Sequence, residues 1–372
     1  MVSNSYNNLS PLGRSNPDPR AEKLQGIIDR GRVRVPQVLR EIEEEFHKRQ
    51  DVVVKPGALG FRVVDGENGS GREIRAHLPS MEDLGFSGFS RGQLLARAGL
   101  PVAYADKLLG LGEDELLLDN LNTMLGRTCK DGLLLRIVDD TARGVLSPAY
   151  RRMDAAPIYE GFISAAVAAG YVPYTGRVTD YRYTLSFVLP EVFQPRPDEF
   201  ILMGLSITTS DYGSSALVLP MNALRITCLN LCMGLDVMRS VHVGRRFEST
   251  DDLVTLSNKT HELDNSATAS AVADAVESSV KMQAALRDRI HEAAQAGGVN
   301  ISDEVRKLRS KGIRKDIAES IKTAYEGALP VEILPPEASK WRLSNAISYI
   351  ANGSGLAADV SLDLQKAAMD VL

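Results

Sequence analysis

The sequence predicts an α+β fold in which a central antiparallel β-meander packs with helices and is flanked by N-terminal and C-terminal helical regions. Residues 144–246 hold most of the alternation of apolar and polar residues that is typical of half-buried strands. The segments on both sides repeat apolar residues at three- and four-residue spacing, which indicates helices. A turn-forming run, Ser210-Asp211-Tyr212-Gly213, separates two of the alternating segments and favours a meander.

Composition and charge limit the class of protein. The chain has 372 residues, of which 44% are hydrophobic and 24% charged, as in an ordinary globular protein. The formal net charge of -5 excludes a global positive field, so a site for a polyanion has to be a local patch. There is no apolar run of membrane-spanning length and no signal-peptide pattern. Three cysteines do not make a disulfide framework, and we expect a cytoplasmic protein.

The N-terminal part is predicted to contain a helical segment over residues 21–50 and then two short strands around the turn Pro56-Gly57. Three helices follow, over residues 91–99, 101–110 and 113–127, with Ser90 as a cap of the first. The patterns divide the chain into four parts. These are a disordered tail (1–20), a mostly helical region with a short hairpin (21–130), a central α+β sheet domain (131–250) and a C-terminal helical region (251–372).

The central domain is predicted to open with a hairpin over residues 132–147 and a helix over residues 155–169. In residues 181–189 the tyrosines alternate with polar residues, so Tyr181 and Tyr183 face the core and Arg182 faces the other way. Two more strands are predicted over residues 201–209 and 215–219. A helix is then expected to begin at residues 220–222 and to continue through residue 232.

The C-terminal region is predicted to be helical. A long alanine-rich helix over residues 253–296 ends at Gly297-Gly298, and a shorter helix is capped by Asp303. Another helix covers residues 317–325. Residues 330–337 read as a rigid linker, and the last helix ends at Asn352-Gly353.

Several separate segments resemble one family. They are VLSPAY after the first hairpin, TSDYGSSAL, RITCLNLCMG, the nearby His242, and Trp341 with Asn345-Ala346. Over residues 89–353 the chain is similar to phage- and plasmid-associated proteins grouped as domain of unknown function 932. The resemblance implies a protein carried by mobile elements and supplies no mechanism. A second likeness, in element order only, is to the single-strand annealing proteins of phage recombination.

Cationic side chains are the candidate binding residues. Lysine and arginine neutralise phosphates and release counterions, and a groove that also offers aromatic rings can hold a single strand. The sheet candidates are Arg151, Arg152, Arg177, Arg182, Arg225, Arg245 and Arg246. The basic run supplies Arg306, Lys307, Arg309, Lys311, Arg314 and Lys315. The alternative for the basic run is a solvated helix and turn that pairs with Asp303, Glu304 and Asp316.

No catalytic residue, metal ligand or cofactor is predicted. Cys228, Cys232 and His242 could supply three metal ligands, but their spacing is not that of a zinc site and no fourth ligand is evident. The glycine-rich loop at residues 66–71 lacks the Gly-Lys-Ser/Thr ending of a phosphate loop. The serine-rich turn lacks the Gly-x-Ser-x-Gly pattern of a hydrolase nucleophile.

The leading hypothesis is therefore a non-enzymatic protein of a mobile element that binds single-stranded DNA in recombination or replication. In this hypothesis, cations of the sheet and of the basic run form one track, and a homo-oligomer holds the bases exposed for annealing. The alternative is a phage protein-interaction module that binds a host protein. The net negative charge and the long alanine-rich helix favour the alternative.

Overall fold

The computed structural model of the chain describes residues 19–66, 71–78, 81–196, 199–226, 230–242, 257–327, 329, 334–335, 337–353 and 355–372. These residues form helices that pack on two mostly antiparallel sheets, so the α+β fold class is confirmed. Among the described helices, none combines the length and the apolar character needed to cross a membrane. Residues 1–18 of the predicted disordered tail and the loop residues 67–70 lie outside the described residues, whereas residues 19 and 20, the end of the predicted tail, are helical.

The N-terminal half builds a six-stranded sheet with helices against it. Its elements are α1 (Pro19–Lys48), β1 (Arg49–Val54), β2 (Gly60–Asp65), β3 (Arg72–Leu78), β4 (Met81–Phe86), α2 (Gly88–Ala98), α3 (Val102–Leu111), α4 (Asp114–Thr128), β5 (Leu133–Val138) and β6 (Thr141–Leu146). The strand order is β1-β5-β6-β4-β3-β2, and only the β4–β6 pair is parallel. Buried leucines of α2 and α4 pack with this sheet and form its core.

One prediction for this half is wrong in its strand pairing, and another assigns a correct hairpin to the wrong sheet. The strands on either side of Pro56-Gly57 exist, but β1 pairs with β5 and β2 pairs with β3, so they do not form a hairpin. The hairpin over residues 132–147 is confirmed as β5–β6, yet it belongs to this sheet and not to the central domain. The predicted boundary at residue 130 therefore cuts through one sheet. Strands β1 and β5 pair although they are about 80 residues apart in the chain. No local sequence pattern predicts a pairing at such a separation.

In the C-terminal half, the described residues form a five-stranded antiparallel meander and six helices. Its elements are α5 (Ala155–Ala168), β7 (Val172–Thr179), β8 (Arg182–Arg196), β9 (Glu199–Thr209), β10 (Leu217–Arg225), β11 (Asn230–Ser240), α6 (Asn258–Gln295), α7 (Ile301–Ser310), α8 (Lys315–Glu326), α9 (Lys340–Ala351) and α10 (Ala358–Asp370). Strands β7 to β11 are neighbours in sequence order, so the predicted meander and its turn at residues 210–213 are confirmed.

The helix predicted to begin at residues 220–222 is wrong, because this segment forms β10 and pairs with β9 and β11. Every residue of β10 is buried, including those on the face opposite the main core. A strand that is covered on both faces shows a continuous apolar run instead of an alternation, and such a run cannot be distinguished from a buried helix by period alone.

The other helix predictions differ from the structure mainly at their ends. Ser87 and not Ser90 is the N-cap of α2, and its hydroxyl accepts from the amide of Ser90. Asn300 and not Asp303 caps α7. The last helix of the chain, α10, was not predicted. Most of the predicted linker over residues 330–337 lies outside the described residues.

One face of the meander, here called the core face, carries Tyr183, Leu185 and Phe187 and packs against α5, α6 and α9. The opposite face, here called the polar face, carries Arg182, Thr184 and Ser186. The alternation predicted for this strand is thus confirmed by burial of the three apolar side chains. Helices α1 and α10 lie against the edge strands β7 and β11, which protects both edges from pairing with another chain.

Candidate nucleic-acid interface

The structure buries or pairs three of the sheet arginines. Arg225 is buried and donates two hydrogen bonds to Glu199, at 2.8 and 2.7 Å, and the same carboxylate accepts from the indole of Trp341 at 3.2 Å. Arg151 donates twice to Asp264 of α6, at 2.7 Å each. Arg152 lies 3.3 Å from Asp51. These side chains hold elements of the fold together, and the assignment of Arg225 to an exposed interface is wrong because solvent does not reach it.

Arg177 and Arg182 remain as sheet cations. They lie on the polar face of β7 and β8, where Arg177 is exposed and Arg182 is partly buried. Neither side chain has a carboxylate within ion-pair distance in the part of the chain that the structure describes. Arg245 and Arg246 lie outside the described residues.

The basic run forms a helix, a turn and the start of a second helix. Residues 306–315, here called the basic turn, connect the C-terminal half of α7 to the first residue of α8. All six cations of the basic turn are exposed. Arg306, Lys307 and Arg314 pair with Asp303, Glu304 and Asp316, and Lys311 pairs with Asp370 of α10. The pairing predicted as the alternative for this run is therefore present.

The two groups of cations lie on different elements of the fold. Leu308, Ile317 and Ile321 anchor α7 and α8 in the core that covers the core face, whereas Arg177 and Arg182 belong to the polar face. The predicted candidates therefore fall into two groups, one on the basic turn and one on the polar face of β7 and β8. The structure leaves two separate cationic surfaces on an acidic molecule.

A cluster of charges that the sequence did not reveal joins the two sheets. Arg49, Asp51, Arg136, Asp154 and Asp211 form this buried ionic cluster. Arg49 of β1 pairs with Asp154 at 2.6 Å and with Asp211 at 2.5 Å. Arg136 of β5 donates to Asp51 at 2.9 Å, to Asp154 at 2.6 Å and to the carbonyl oxygen of Asp211 at 2.7 Å.

Two carboxylates of the cluster, those of Asp154 and Asp211, have further donors. The side-chain amide of Asn265 in α6 donates to Asp154 at 2.9 Å, and the amide of Ala155 donates to Asp211 at 2.9 Å. Buried charges are stable only when paired and hydrogen-bonded in this way. The one sign of this cluster in the sequence is Arg136 within the apolar strand β5. It is ambiguous, because a strand with one face in solvent would also contain an arginine.

The neighbouring charges move the two buried carboxyl groups in opposite directions. The pKa of Asp154 is lowered, because the attraction of Arg136 and Arg49 outweighs its burial. Burial raises the pKa of Asp211 to about 6, with the negative charge of Asp154 adding to the effect. Two carboxylates that share Arg49 cannot both be fully compensated by it, which explains the difference.

His242 packs beside this cluster. Its ring stacks on Tyr150 with the centroids 5.0 Å apart, and Nδ1 lies 3.1 Å from the carbonyl oxygen of Arg151. Burial lowers the pKa of His242 to about 4. His242 is therefore neutral at pH 7 and acts in packing. Cys228 lies outside the described residues, and so does the side chain of Cys232. Among the described residues, no group of three His, Cys, Asp or Glu side chains could hold a metal.

We expect His242→Phe to change how stability depends on pH. In the unfolded chain the histidine titrates near pH 6.5, but in the fold its pKa is about 4. The unfolded state therefore takes up the proton first, and the histidine costs stability as the pH falls below 6.5. The phenylalanine keeps the ring on Tyr150 and removes this cost.

The free energy of unfolding of His242→Phe, relative to the unmodified chain, should thus rise by about 1–2 kcal/mol between pH 7 and pH 5. Urea titrations of both proteins at the two pH values measure it. An equal difference at both pH values would contradict a buried, neutral histidine.

The chain matches no protein-family model, no curated protein sequence and no solved structure in the three comparisons. The resemblance to the phage- and plasmid-associated family therefore stays a prediction.

Proposed function

We propose that this chain binds single-stranded DNA through the basic turn. The observation that carries the proposal is the concentration of exposed cations there. Residues 303–316 contain six cationic and three anionic side chains, a local net charge of +3 on a molecule of net charge -5. The four paired cations remain between 52% and 79% exposed, so phosphate can reach each of them.

The ion pairs within the basic turn do not prevent binding. An exposed pair contributes only about 0–1 kcal/mol, and this contribution falls with salt. A phosphate that replaces the carboxylate also releases condensed counterions from the nucleic acid, which drives association. Arg309 and Lys315 have no ion-pair partner among the described residues, so they offer their charge at no such cost.

A single strand suits the turn better than a duplex. The six cations are distributed along residues 306–315 and end long, flexible side chains. They can therefore follow a strand whose phosphates have no fixed spacing. Residues 306–315 include no aromatic side chain that could stack on bases. We therefore expect binding that depends on the phosphates and not on the base sequence of the DNA.

We expect Arg309→Gln/Lys315→Gln to bind a fluorescent oligo-dT about tenfold more weakly than the unmodified chain in low salt. The plot of log affinity against log salt should also become shallower by about 1.4, because two phosphate contacts are lost. Fluorescence anisotropy over a salt series measures both quantities, and the same sequence as a duplex tests the preference for a single strand.

The matched control is Lys107→Gln/Arg127→Gln, which removes one exposed lysine and one exposed arginine from α3 and α4. It should bind like the unmodified chain. Equal weakening by both double variants would show that only the total charge matters, and the absence of salt-sensitive binding would refute DNA binding altogether.

The biological step is proposed from the resemblance alone: recombination or replication of a mobile element in the cytoplasm, with strand annealing by a homo-oligomer. The mass of the protein with and without oligo-dT tests assembly and binding together.

A second candidate function is binding of a host or phage protein, and an apolar patch on α3 and α4 favours it. Tyr104, Leu111 and Leu116 are between 37% and 65% exposed. The hydroxyl of Tyr104 accepts from the side-chain amide of Asn120, one turn beyond Leu116, which brings the two helices' exposed faces together. A partner that survives nuclease treatment and is lost from Leu111→Ser/Leu116→Ser would support this candidate.

A further inference from the structure

The polar face of the β7–β8 hairpin places two arginines side by side. In the antiparallel register Arg177 lies opposite Thr184, and Arg182 lies opposite Thr179. Arg177 and Arg182 are therefore diagonal neighbours on one face. Diagonal positions in a sheet are about 7–8 Å apart at their Cα atoms, within reach of one small ligand for side chains as long as arginine.

The charge of this pair is not balanced by the fold. Asp180, in the turn of the hairpin, is 78% exposed and lies 3.7 Å from Arg143 of the six-stranded sheet. No carboxylate is paired with Arg177 or Arg182 among the described residues. Two adjacent like charges repel and destabilise a sheet, so an unpaired arginine pair needs a reason for its presence.

The guanidinium of Arg182 also lacks a hydrogen bond that the fold would normally provide. Its Nε atom is buried and has no acceptor among the described residues. A buried donor without a partner costs free energy that an oxygen atom of a ligand would recover. This observation is independent of the charge, because it concerns one N–H group and not the net field.

Hydroxyl groups continue the site across the sheet. Thr184 lies opposite Thr208 of β9, and their Oγ1 atoms are 3.1 Å apart. One rung of the meander thus carries Arg177, Thr184 and Thr208 in succession. Hydroxyl donors next to guanidinium groups are the combination that binds phosphate oxygens, because charge-assisted hydrogen bonds to phosphate are short and strong.

We propose that the polar face of the β7–β8 hairpin binds a phosphate group through Arg177, Arg182 and the hydroxyl of Thr184. The two guanidinium groups match the two negative charges of a phosphate, and Arg182 Nε is the donor that becomes satisfied. The phosphate belongs either to a free phosphate compound or to the backbone of a nucleic acid strand. The site does not rest on the proposed function, because none of its residues belongs to the basic turn.

The test follows the arginine Nε–H signals of ¹⁵N-labelled full-length protein by NMR. Inorganic phosphate is added in one arm and oligo-dT without a terminal phosphate in the other, both against chloride at the same ionic strength. Signals are assigned with Arg177→Gln and Arg182→Gln. We expect a saturable shift of the Arg182 signal, and about tenfold weaker binding in Arg177→Gln.

A shift with inorganic phosphate identifies a site for free phosphate compounds, and a shift with oligo-dT alone identifies one for a nucleic acid backbone. No shift of Arg182 in either arm overturns the proposal. Arg239→Gln is the control, since Arg239 shares the rung through Val218 but pairs with Asp236. If Arg239→Gln weakens binding as much as Arg177→Gln does, the assigned pair is wrong. Arg309→Gln/Lys315→Gln should leave this shift unchanged, which separates the site from DNA binding at the basic turn.

Discussion

Replacing Arg136 with methionine should lower the free energy of unfolding by about 3–5 kcal/mol. Arg136 is fully buried in β5 and donates to Asp51, to Asp154 and to the carbonyl oxygen of Asp211. Methionine has a similar volume but no charge, so the packing is nearly kept while the carboxylates lose a partner. The cost is the free energy of keeping those carboxylates buried with only Arg49 and Arg152 to compensate them.

Arg143→Met is the matched control for this prediction. Arg143 lies on the neighbouring strand β6, and its ion-pair partner among the described residues is Asp180, at 3.7 Å near the surface. An exposed pair of this kind contributes at most about 1 kcal/mol. Urea denaturation followed by circular dichroism compares the two variants. Similar losses for both would mean that the buried ionic cluster does not stabilise the junction between the sheets.

Gly31→Ala should lower the free energy of unfolding by about 2–3 kcal/mol. Helix α1 crosses the edge strand β7 at this residue: Ile27 and Ile28 pack with Val172 on one side, while Val38 enters the main core on the other. A Cβ atom on Gly31 would lie 2.1 Å from the carbonyl oxygen of Pro173. Because that oxygen belongs to the backbone of a strand, the helix has to move away from the sheet.

The same helix supplies the control. A Cβ atom on Gly26 would meet nothing closer than 3.5 Å, the end of the flexible Arg30 side chain. Gly26→Ala should therefore raise stability by about 0.5–1 kcal/mol, since alanine loses less conformational entropy in a helix. The two substitutions have opposite expected signs, and thermal denaturation of both resolves them. A stabilising Gly31→Ala would mean that α1 does not contact β7 in this way.

The ionic cluster and the crossing of α1 have a common consequence for the site proposed on the polar face. Arg49 follows α1 directly, so one segment of chain both covers the edge of the meander and enters the junction with the six-stranded sheet. The β7–β8 hairpin is held by this arrangement, because the Arg34 side chain also donates to the carbonyl oxygen of Gly176 at 3.0 Å. The arginines of the polar face are thus presented on a rigid scaffold, as recognition of a phosphate requires.

Much of the fold could be predicted from local pattern. The alternation in β8, the turn at Gly213 and the helices α2 to α5 follow from short-range rules, because the side chains that decide them are a few residues apart. The alternation also predicts that Arg182 and Tyr183 lie on opposite faces of the sheet, and the structure confirms this. Where burial covers both faces, as in β10, the pattern lost its period and the prediction failed.

The candidate site was less predictable, because charge alone does not reveal accessibility. Arg225 and Arg177 are both arginines in strands of the meander. One is buried against Glu199 and the other is exposed on the polar face. The difference in their exposure depends on which helix covers which face of the sheet. The sequence predicts α9 as a helix but not the face of the sheet on which it packs.

The sequence by itself determined the α+β class, the meander and most helices, since periodicity and turn chemistry act over a few residues. Only the tertiary structure decided the six-stranded sheet, the buried ionic cluster and the division of the cations into two surfaces. Each of these brings together groups that are far apart in the chain, such as Arg49 with Asp211. Such pairings are selected by the packing of the whole molecule, and no short stretch of sequence encodes them.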